Sequence, residues 1–524
     1  MSAKRILWAD DEIDILKPHV MALQAKGFGV VSVTNGDDAL AEFDAQEFDL
    51  VLLDENMPGK SGIDVLRQMK QKRDSVPMVM VTKNEKADTM DSALGAQVDD
   101  FLVKPVNISQ LLACVTKVFR QKELVEQSRR VEFLGNYQTL TAQMSGCESF
   151  KDWTELYHRL VDWELKLPEE FVPMLLQLKA DANAQFSKFI MRNYMSWISG
   201  SNGGGAPLFS HRIMSEVVKP AIVAGEKVAL VVIDNFRMDQ WEVLRPILEE
   251  DFVIKTQAYC SILPTSTQYS RNAIFSGLLP ADIKKMYPDY WVESTDDEDS
   301  RNNNERELLD DYFKRQRMTV DNSYYKVGSN QSGEEYISGF GGSKRHRGYK
   351  NNQLNALVFS FVDVLSHART SNHTLQDLIP NDAAYRSVTR SWFLHGMMHR
   401  ILLLLKDNGF KIILTTDHGS IRMGEPVDIS GPRDINHNLR FKFGKSLGYD
   451  SKRVFEINGM KDLAAVGLPA SNITSQYVFA INYDYFVYKN NRSEYVDKFS
   501  DSFQHGGISM EEMILPLATL TPRR

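Results

Sequence analysis

The sequence predicts an α/β protein in three parts: an N-terminal parallel-sheet domain, a helical connector and a larger C-terminal α/β domain with an insertion. Three observations lead to this prediction. Short apolar runs alternate with amphipathic stretches at both ends of the chain, strand signals disappear in between, and 524 residues suffice for about three domains. The composition, with 43% hydrophobic and 25% charged residues, excludes a largely disordered or collagen-like chain.

The charge and the cysteine content narrow the class of protein further. The net charge of −8 argues against broad electrostatic binding to nucleic acid, although a local basic patch could exist. The 3 cysteines are isolated, which excludes a disulfide framework and a thiolate zinc site. No apolar run approaches the ~18 residues of a membrane span, and the first residues lack a signal-peptide core. We expect a soluble cytoplasmic protein with no membrane span.

The N-terminal domain, residues 1–121, is predicted to be a doubly wound parallel sheet of flavodoxin-like size. Apolar segments alternate with helical patterns there, and this alternation puts helices on both faces of a parallel sheet. The five strand candidates are Arg5–Ala9, Gly29–Thr34, Leu50–Leu53, Val76–Val81 and Asp100–Val103.

The connector, residues 122–200, is predicted to be a helical bundle without chemistry of its own. Glu169–Ile198 is expected to be one long helix, and Ser201–Pro207 has the glycine-rich composition of a flexible linker. An earlier helix is indicated by apolar residues at helical spacing, namely Trp153, Leu156, Leu160 and Trp163.

The C-terminal domain, residues 207–524, returns to alternating strands and helices. The stretch from about Ser294 to Lys350 is too polar for a core, and we expect it to form a cap or insertion over the domain. The strand candidates are Val228–Ile233, Leu357–Phe361, Lys411–Thr416 and Tyr477–Ile481.

Polar residues follow four strands of the N-terminal domain: Asp10 and Asp11, Asp54, Thr82, and Lys104. Residues beyond the carboxyl ends of parallel strands converge on one crevice. Carboxylates there suit Mg²⁺, which can bridge them to a phosphoryl group. Thr82 could hydrogen-bond that group, and Asp54 would be the nucleophile that forms an acyl phosphate. Taken singly, the acidic pair would more readily be a helix N-cap.

These motifs resemble the receiver domain of two-component response regulators. The resemblance rests on WADDE, on LLDENMPG with Asp54, on MVT with Thr82, and on LVKP with Lys104. It implies phosphorylation of Asp54 by a histidine kinase or a small phosphodonor, and Mg²⁺ held by Asp11 and Asp54. It also implies that Phe101 is the aromatic switch residue, which shifts inward together with Thr82.

Carboxylates and histidines recur in the C-terminal domain, mostly at strand ends. Carboxylate and imidazole without thiolate are typical of catalytic zinc, with Mn²⁺ as an alternative. Two sites can be composed from them, one from Asp363, His367 and His505, the other from Asp234, Asp417, His418 and Thr267. Two such ions ~3.5–4 Å apart clamp the attacking and leaving oxygens of a displacement at phosphorus. Thr267, bound to one ion as an alkoxide, could then be a covalent nucleophile.

The order of these motifs resembles the alkaline phosphatase superfamily, near its nucleotide pyrophosphatase/phosphodiesterase and PglZ branches. Taken alone, each of these motifs occurs more often in an ordinary turn than at a metal site. The segment PTSTQYSRNAIFSG looks like the nucleophile motif of those branches, which selects Thr267 over Thr265 or Ser266. No position matches the phosphate-binding arginine of classical alkaline phosphatases, which favours diesters over monoesters. Arg271 or the insertion could instead supply that charge.

A receiver, a connector and a phosphatase-like domain in one chain resemble response regulators associated with type IX secretion. The leading hypothesis is a zinc-dependent phosphodiesterase acting on nucleotide or oligonucleotide diesters. Phosphorylation of Asp54 would regulate it through a homodimer. A basic run near Tyr349 could hold a phosphate backbone or stack a base, or be a solvated loop; it comprises Lys344, Arg345 and Arg347.

Two alternatives remain open. The phosphatase-like domain could bind metal and serve as an interaction platform for a sigma factor or a secretion component. A metal-dependent mutase or phosphomonoesterase is the third option. The C-terminus shows no helix-turn-helix that would read DNA.

Overall fold

The structure, a computed structural model, describes residues 4–73, 76–83, 98–201, 205–292, 302–342, 348–431, 438–470 and 472–523. Two compact units divide the chain, Met1–Glu132 and Phe133–Arg524. The basic run around Arg345 lies outside the described residues. Within the described ranges, no helix combines the length and the apolar character that a membrane span requires.

The N-terminal unit contains a five-stranded parallel sheet in the order β2-β1-β3-β4-β5. The strands are β1 Arg5–Ala9, β2 Gly29–Val33, β3 Leu50–Asp54, β4 Met78–Thr82 and β5 Asp100–Val103. The helices are α1 Lys17–Ala25, α2 Gly36–Ala45, α3 Gly62–Lys72 and α4 Ile108–Ser145. Strands β3 and β4 are buried along their whole length, as expected for central strands covered on both faces. The predicted doubly wound fold is confirmed.

Two further helices follow, α5 Phe150–Lys166 and α6 Val172–Ile198. The Ser149 side chain accepts a hydrogen bond from the Asp152 backbone, and this capping box starts α5 where the apolar spacing begins. From Phe133 onward, the buried side chains of the helices belong to the same apolar core as the C-terminal domain. The predicted helical connector is confirmed, and α4 runs without interruption through residues 121 and 122.

The C-terminal domain is built around a six-stranded sheet in the order β7-β19-β10-β6-β9-β8. Strands β10, β6, β9 and β8 run parallel to one another, whereas β19 is antiparallel to both of its neighbours. The strands of the domain are β6 Val228–Ile233, β7 Phe252–Cys260, β8 Asn322–Val327, β9 Leu354–Phe359, β10 Lys411–Thr415, β11 Ile421–Arg422, β12 Pro426–Ser430, β13 Phe441–Gly444, β14 Gly448–Tyr449, β15 Val454–Asn458, β16 Gln476–Ala480, β17 Tyr485–Tyr488, β18 Phe503–Gln504 and β19 Ile514–Pro522.

Helices cover this sheet, and two small three-stranded sheets, β14-β12-β17 and β13-β16-β15, lie between β10 and β19 along the chain. The helices are α7 Lys219–Val223, α8 Met238–Leu248, α9 Thr267–Ser276, α10 Pro280–Met286, α11 Glu305–Arg315, α12 Asn330–Phe340, α13 Phe361–Ser371, α14 His373–Leu378, α15 Asp382–His395, α16 Met397–Asp407, α17 Gly459–Ala465, α18 Arg492–Phe499 and α19 Met510–Met513.

The prediction that Ser294 to Lys350 forms a cap or insertion was wrong for part of that stretch. Asn322–Val327 forms β8, an edge strand of the main sheet that pairs in parallel with β9. Only Ser323 and Val327 of this strand are buried. Because the other side chains of this edge strand remain partly exposed, its polar composition is tolerated. The predicted strand around Tyr477 belongs to a small sheet, and the strand predicted to reach Phe361 ends at Phe359.

Candidate active site

The predicted phosphoacceptor pocket forms at the carboxyl edge of the N-terminal sheet. The Lys104 Nζ atom lies 2.9 Å from Asp10 Oδ2 and 3.0 Å from Asp54 Oδ1. Burial raises the pKa of Asp54, although hydrogen bonding to Lys104 opposes this shift. Burial also works against the charge of Lys104, but its hydrogen bonds to the two carboxylates outweigh that effect and raise its pKa. The predicted nucleophile, Asp54, is thus paired with Lys104, whose positive charge is stabilised by both carboxylates.

The acidic residues after β1 form a group that suits a divalent cation. Carboxylate oxygens of Asp10, Asp11 and Glu12 lie within 4.8 Å of one another, and Mg²⁺ prefers such oxygen ligands. Asp11 and Asp54 are the magnesium ligands predicted from the sequence, whereas Glu12, which continues the same acidic run, was not predicted. In this structure Asp54 is connected to Asp10 through the Lys104 ammonium.

The two residues expected to shift on phosphorylation lie on adjacent strands. Thr82 ends β4, and its hydroxyl donates a hydrogen bond to the Glu55 carboxylate. Phe101 is half-buried on β5 and lies opposite Met80 in the parallel register. Strand β4 neighbours β3, which ends at Asp54, and β5 directly precedes Lys104. The movement of Thr82 and Phe101 on phosphorylation stays a prediction.

The main sheet of the C-terminal domain brings three carboxylates together. Asp234 follows β6, Asp417 lies two residues beyond β10, and Asp363 lies in the first turn of α13 after β9. Strands β10, β6 and β9 are neighbours and parallel, so their carboxyl ends meet at one edge.

The histidines complete two adjacent ligand groups. One consists of Asp363, His367 and His505, the other of Asp234, Asp417 and His418, and within each group the ligand atoms lie within 4.8 Å of one another. These are the two groups predicted from the sequence, apart from Thr267. The rings of His418 and His505 stack with centroids 4.0 Å apart, which places the two groups side by side.

The buried carboxylates of this site fit a bound cation. Asp234 Oδ1 and Asp417 Oδ2 are buried and have no hydrogen-bond partner among the described residues. Burial and the neighbouring Asp234 charge raise the pKa of Asp417 well above its usual range. Leaving such atoms unpaired is costly, and a divalent cation would satisfy them.

Backbone carbonyls fix the histidine tautomers for metal binding. Because a carbonyl oxygen can only accept, His505 Nδ1 donates to Thr265 O at 3.2 Å and His418 Nδ1 donates to Gly419 O at 3.2 Å. In the neutral form of each ring, the Nε2 atom then carries the lone pair that can bind a metal. Burial and the nearby His505 ring lower the pKa of His418 well below its usual range, which favours the neutral form that binds metals.

Thr267 stands at the start of α9 beside this site. Its Oγ1 atom is 2.9 Å from His418 Nε2, and the helix begins at Thr267 because Ser266 has an extended backbone. Helix N-termini carry partial positive charge, which stabilises a developing oxyanion. The helix ends at Ser276. The next residue, Gly277, has a φ of +64° and lies so close to the Tyr312 ring that there is no room for a side chain. Of the three hydroxyls in PTST, Thr267 is the one hydrogen-bonded to His418.

Arg271 has a different role from the phosphate clamp considered above. It lies one turn after Thr267, is buried, and donates hydrogen bonds to the Asp234 and Glu305 carboxylates. Asp417 lies 3.6 Å from the same guanidinium. These carboxylates engage Arg271, so in this arrangement it orients Asp234 rather than presenting its charge to a substrate.

Asn235 also lies in this site, although it was not predicted from the sequence. Its backbone N–H donates to Asp417 Oδ1 at 3.3 Å, and its side-chain amide donates to Asp363 Oδ1 at 3.1 Å. The residue therefore contacts one carboxylate of each ligand group. Its φ is +60°, a left-handed conformation that asparagine tolerates better than most residues. An asparagine directly after a strand-terminal aspartate was the available signal.

The backbone of Asn235 leads to a stability prediction. Asn235→Gly and Asn235→Ala both remove the side-chain amide, but only alanine adds strain at positive φ. We expect Asn235→Ala to lower the free energy of unfolding of the C-terminal unit by about 1 kcal/mol more than Asn235→Gly. Urea unfolding of the metal-free protein measures the difference. Equal stability of the two variants would contradict the left-handed conformation.

Three family sequence profiles match the chain. The BREX system PglZ alkaline phosphatase-like domain matches residues 213–520, and the response regulator receiver domain matches residues 6–116. The PorX response regulator linker domain matches residues 123–198. The predicted resemblance to response regulators that join a receiver to a PglZ domain is thereby confirmed.

Curated relatives match the N-terminal domain. The sensory transduction protein RegX3 of Mycobacterium tuberculosis is 38% identical over 118 residues, which is 22% of this chain and 51% of RegX3. The alkaline phosphatase synthesis transcriptional regulatory protein PhoP of Bacillus subtilis is 30% identical over 131 residues, 25% of this chain and 54% of PhoP. The chain thus spans about half the length of the curated relatives it matches.

Among solved structures, a CheY-like response regulator receiver domain protein from Methanospirillum hungatei JF-1 is 29% identical, with a TM-score of 0.23. The match covers 23% of this chain and 98% of that protein. TrrA from Thermotoga maritima, solved in complex with Mg²⁺–BeF, is 33% identical with a TM-score of 0.21, and the match covers 22% of this chain and 97% of TrrA.

Proposed function

The chain belongs to the BREX system PglZ alkaline phosphatase-like family and has the receiver and linker domains of a PorX-type response regulator. From this premise we propose that its output is a zinc-dependent phosphodiesterase that acts on nucleotide or oligonucleotide diesters in the cytoplasm. The observation that carries the proposal is the Thr267 hydroxyl, 2.9 Å from His418 Nε2 and adjacent to two carboxylate–histidine groups.

The residues of the site support a two-step displacement. The Thr267 hydroxyl loses its proton to water as its Oγ atom attacks phosphorus and forms the Oγ–P bond. The bond from phosphorus to the leaving oxygen breaks, and that oxygen takes up a proton from water and departs as an alcohol. In the second step a water oxygen forms a bond to phosphorus and the Oγ–P bond breaks. The water loses a proton, and the Thr267 Oγ atom regains one, which restores the hydroxyl. When bound, two zinc ions would supply charge that lowers the pKa of the Thr267 hydroxyl and stabilises the attacking and leaving oxygens.

The choice of diesters follows from charge. A diester carries one negative charge at neutral pH, whereas a monoester carries up to two and needs more cationic contacts. Arg271, the arginine closest in sequence to Thr267, is engaged by Asp234 and Glu305. With Arg271 paired in this way, the site is better suited to a diester, which carries less negative charge than a monoester.

Regulation would start in the N-terminal unit. The receiver profile implies a cognate histidine kinase, and the pocket around Asp54 and Lys104 has the groups that phosphoryl transfer needs. We include in the proposal phosphorylation-dependent homodimerisation and a role in type IX secretion, on the basis of the PorX-type domain set.

The test compares hydrolysis of bis(p-nitrophenyl) phosphate with that of p-nitrophenyl phosphate by the zinc-loaded protein. Faster diester cleavage supports the proposal. Faster monoester cleavage would replace it with a phosphomonoesterase. No turnover of either compound by protein that holds two metal ions would contradict it for these substrates and favour the interaction platform.

Metal content offers an independent prediction. His418→Ala removes one ligand of the Asp234 group, and we expect the dialysed variant to retain one zinc ion fewer than the wild type. Elemental mass spectrometry measures the number of zinc ions per chain. His395→Ala serves as the control, because His395 is exposed at the end of α15. Unchanged zinc content in His418→Ala would show that His418 is not a ligand.

A further inference from the structure

The long helix α6 carries a row of buried polar side chains on its packed face. Lys179, Asn183, Ser187 and Tyr194 are buried and follow one another at intervals of four, four and seven residues, which aligns them along one side of the helix. Their neighbours on this face are apolar. Polar groups remain buried only when they are hydrogen-bonded, so the partners of this row are informative.

Part of the row contacts the segment that follows His505. Asn183 Oδ1 accepts a hydrogen bond from the Met510 backbone N–H at 2.7 Å, and its amide donates to Glu511 Oε2 at 2.9 Å. The Ser187 hydroxyl lies 3.4 Å from the Ile508 carbonyl oxygen. Lys179 Nζ lies 3.2 Å from Glu511 Oε1. The segment 508–511 is therefore fixed to α6 at three consecutive levels of the helix.

Tyr194 contacts the segment that leads to Thr267. Its hydroxyl oxygen accepts a hydrogen bond from the Leu263 backbone N–H at 2.7 Å. Leu263 lies four residues before the nucleophile, and Tyr194 is only 1% exposed. This buried hydrogen bond ties the segment that approaches Thr267 to the helix.

Thr265 closes the arrangement by joining the two segments to each other. Its hydroxyl oxygen accepts from Gly506 N–H at 3.0 Å and donates to the Gly507 carbonyl at 3.0 Å. Its own carbonyl accepts from His505 Nδ1 at 3.2 Å. Helix α6, the segment 263–267 and the segment 505–511 thus form a closed set of hydrogen bonds within one compact unit.

We infer that α6, part of the predicted connector, is a structural component of the active site, with Tyr194 and Asn183 as positioning residues. The inference rests on the proposed function, because it assigns these residues to the geometry of that same site. Neither residue contacts the reacting groups. Tyr194 fixes the segment that carries Thr267, and Asn183 fixes the segment that carries His505. Apolar packing alone is non-directional, whereas these hydrogen bonds set the spacing of nucleophile and ligand.

Tyr194→Phe tests the contact to the nucleophile segment. We expect kcat for bis(p-nitrophenyl) phosphate to fall about 10-fold or more, because small displacements of reacting groups reduce rates steeply. KM and zinc content should stay at their wild-type values, measured well below the melting temperature. Tyr336→Phe is the matched control, since the Tyr336 hydroxyl is buried without a hydrogen-bond partner among the described residues. Wild-type kcat in Tyr194→Phe would overturn the inference for this segment.

Asn183→Ala tests the contact to the His505 segment without relying on turnover. We expect weaker zinc binding, measured by competition with a chromophoric chelator. Ser187→Ala, a milder change on the same row, should shift the affinity in the same direction and replaces Asn183→Ala if that variant does not fold. Wild-type zinc affinity in the folded variant would overturn the inference for this segment.

The two measurements separate the inference from the proposed function. If the wild-type protein hydrolyses neither ester, the proposed function fails, and zinc affinity still decides whether α6 holds the His505 segment. If the wild type is active and both α6 variants match it in kcat and zinc affinity, the inference fails alone.

Discussion

Thr267→Ala is expected to abolish hydrolysis of bis(p-nitrophenyl) phosphate, lowering kcat by on the order of 10³-fold or more. The change removes the oxygen that would attack phosphorus, and the His418 ring 2.9 Å away cannot replace it in a covalent step. The melting temperature should change little, since Thr267 is the first residue of α9 and its hydroxyl is not needed to start the helix. Steady-state rates with metal-replete protein provide the measurement.

Two further variants make this prediction specific. Thr267→Ser keeps a hydroxyl and should retain part of the activity. Ser266→Ala changes the adjacent hydroxyl, which forms no capping hydrogen bond, and should leave most of the activity intact. Full activity in Thr267→Ala together with loss in Ser266→Ala would move the nucleophile to Ser266.

Asp54→Asn is expected to eliminate phosphorylation of the receiver domain completely. An amide oxygen is a poor nucleophile and cannot form the acyl phosphate, while its similar shape preserves the pocket around Lys104. Incubation with acetyl phosphate and Mg²⁺, followed by intact-mass spectrometry, would show the phosphorylated species in the wild type alone.

Asp64→Asn is the matched control for this prediction. Asp64 is exposed in the first turn of α3 and contacts the half-buried Ser61 cap, so its neutralisation should leave phosphorylation unchanged. Phosphate incorporation into Asp54→Asn at the wild-type level would place the phosphoacceptor at another carboxylate, with Asp10 and Asp11 the next candidates.

The two carboxylate–histidine groups could be predicted from the sequence because their members follow recognisable local patterns. Asp234 and Asp417 each follow an apolar run, and Asp363 and His367 are one helical turn apart, so local patterns suffice to place them. The engagement of Arg271 by Glu305 could not be predicted in this way, because the two residues lie 34 positions apart and meet only after folding.

The missed strands have a related physical cause. The strand β19 contains Pro516, and a proline argues against a central strand because it lacks an N–H donor. The strand β8 is polar because it lies at an edge. The contacts of the polar row on α6 could not be predicted for the same reason as those of Arg271, because Asn183 and Met510 are 327 residues apart in the chain.

The position of β19 also determines the order in which the protein can fold during synthesis. Strand β19 lies between β7 and β10 and pairs with both, yet it is made after every other strand of that sheet. Until Ile514–Pro522 leaves the ribosome, β7 lacks its one ladder partner among the described strands, and such long-range pairing is slow. The receiver sheet, in contrast, is complete once Val103 has emerged. A nascent chain therefore completes the sheet that carries Asp54 well before the main sheet of its C-terminal domain can close.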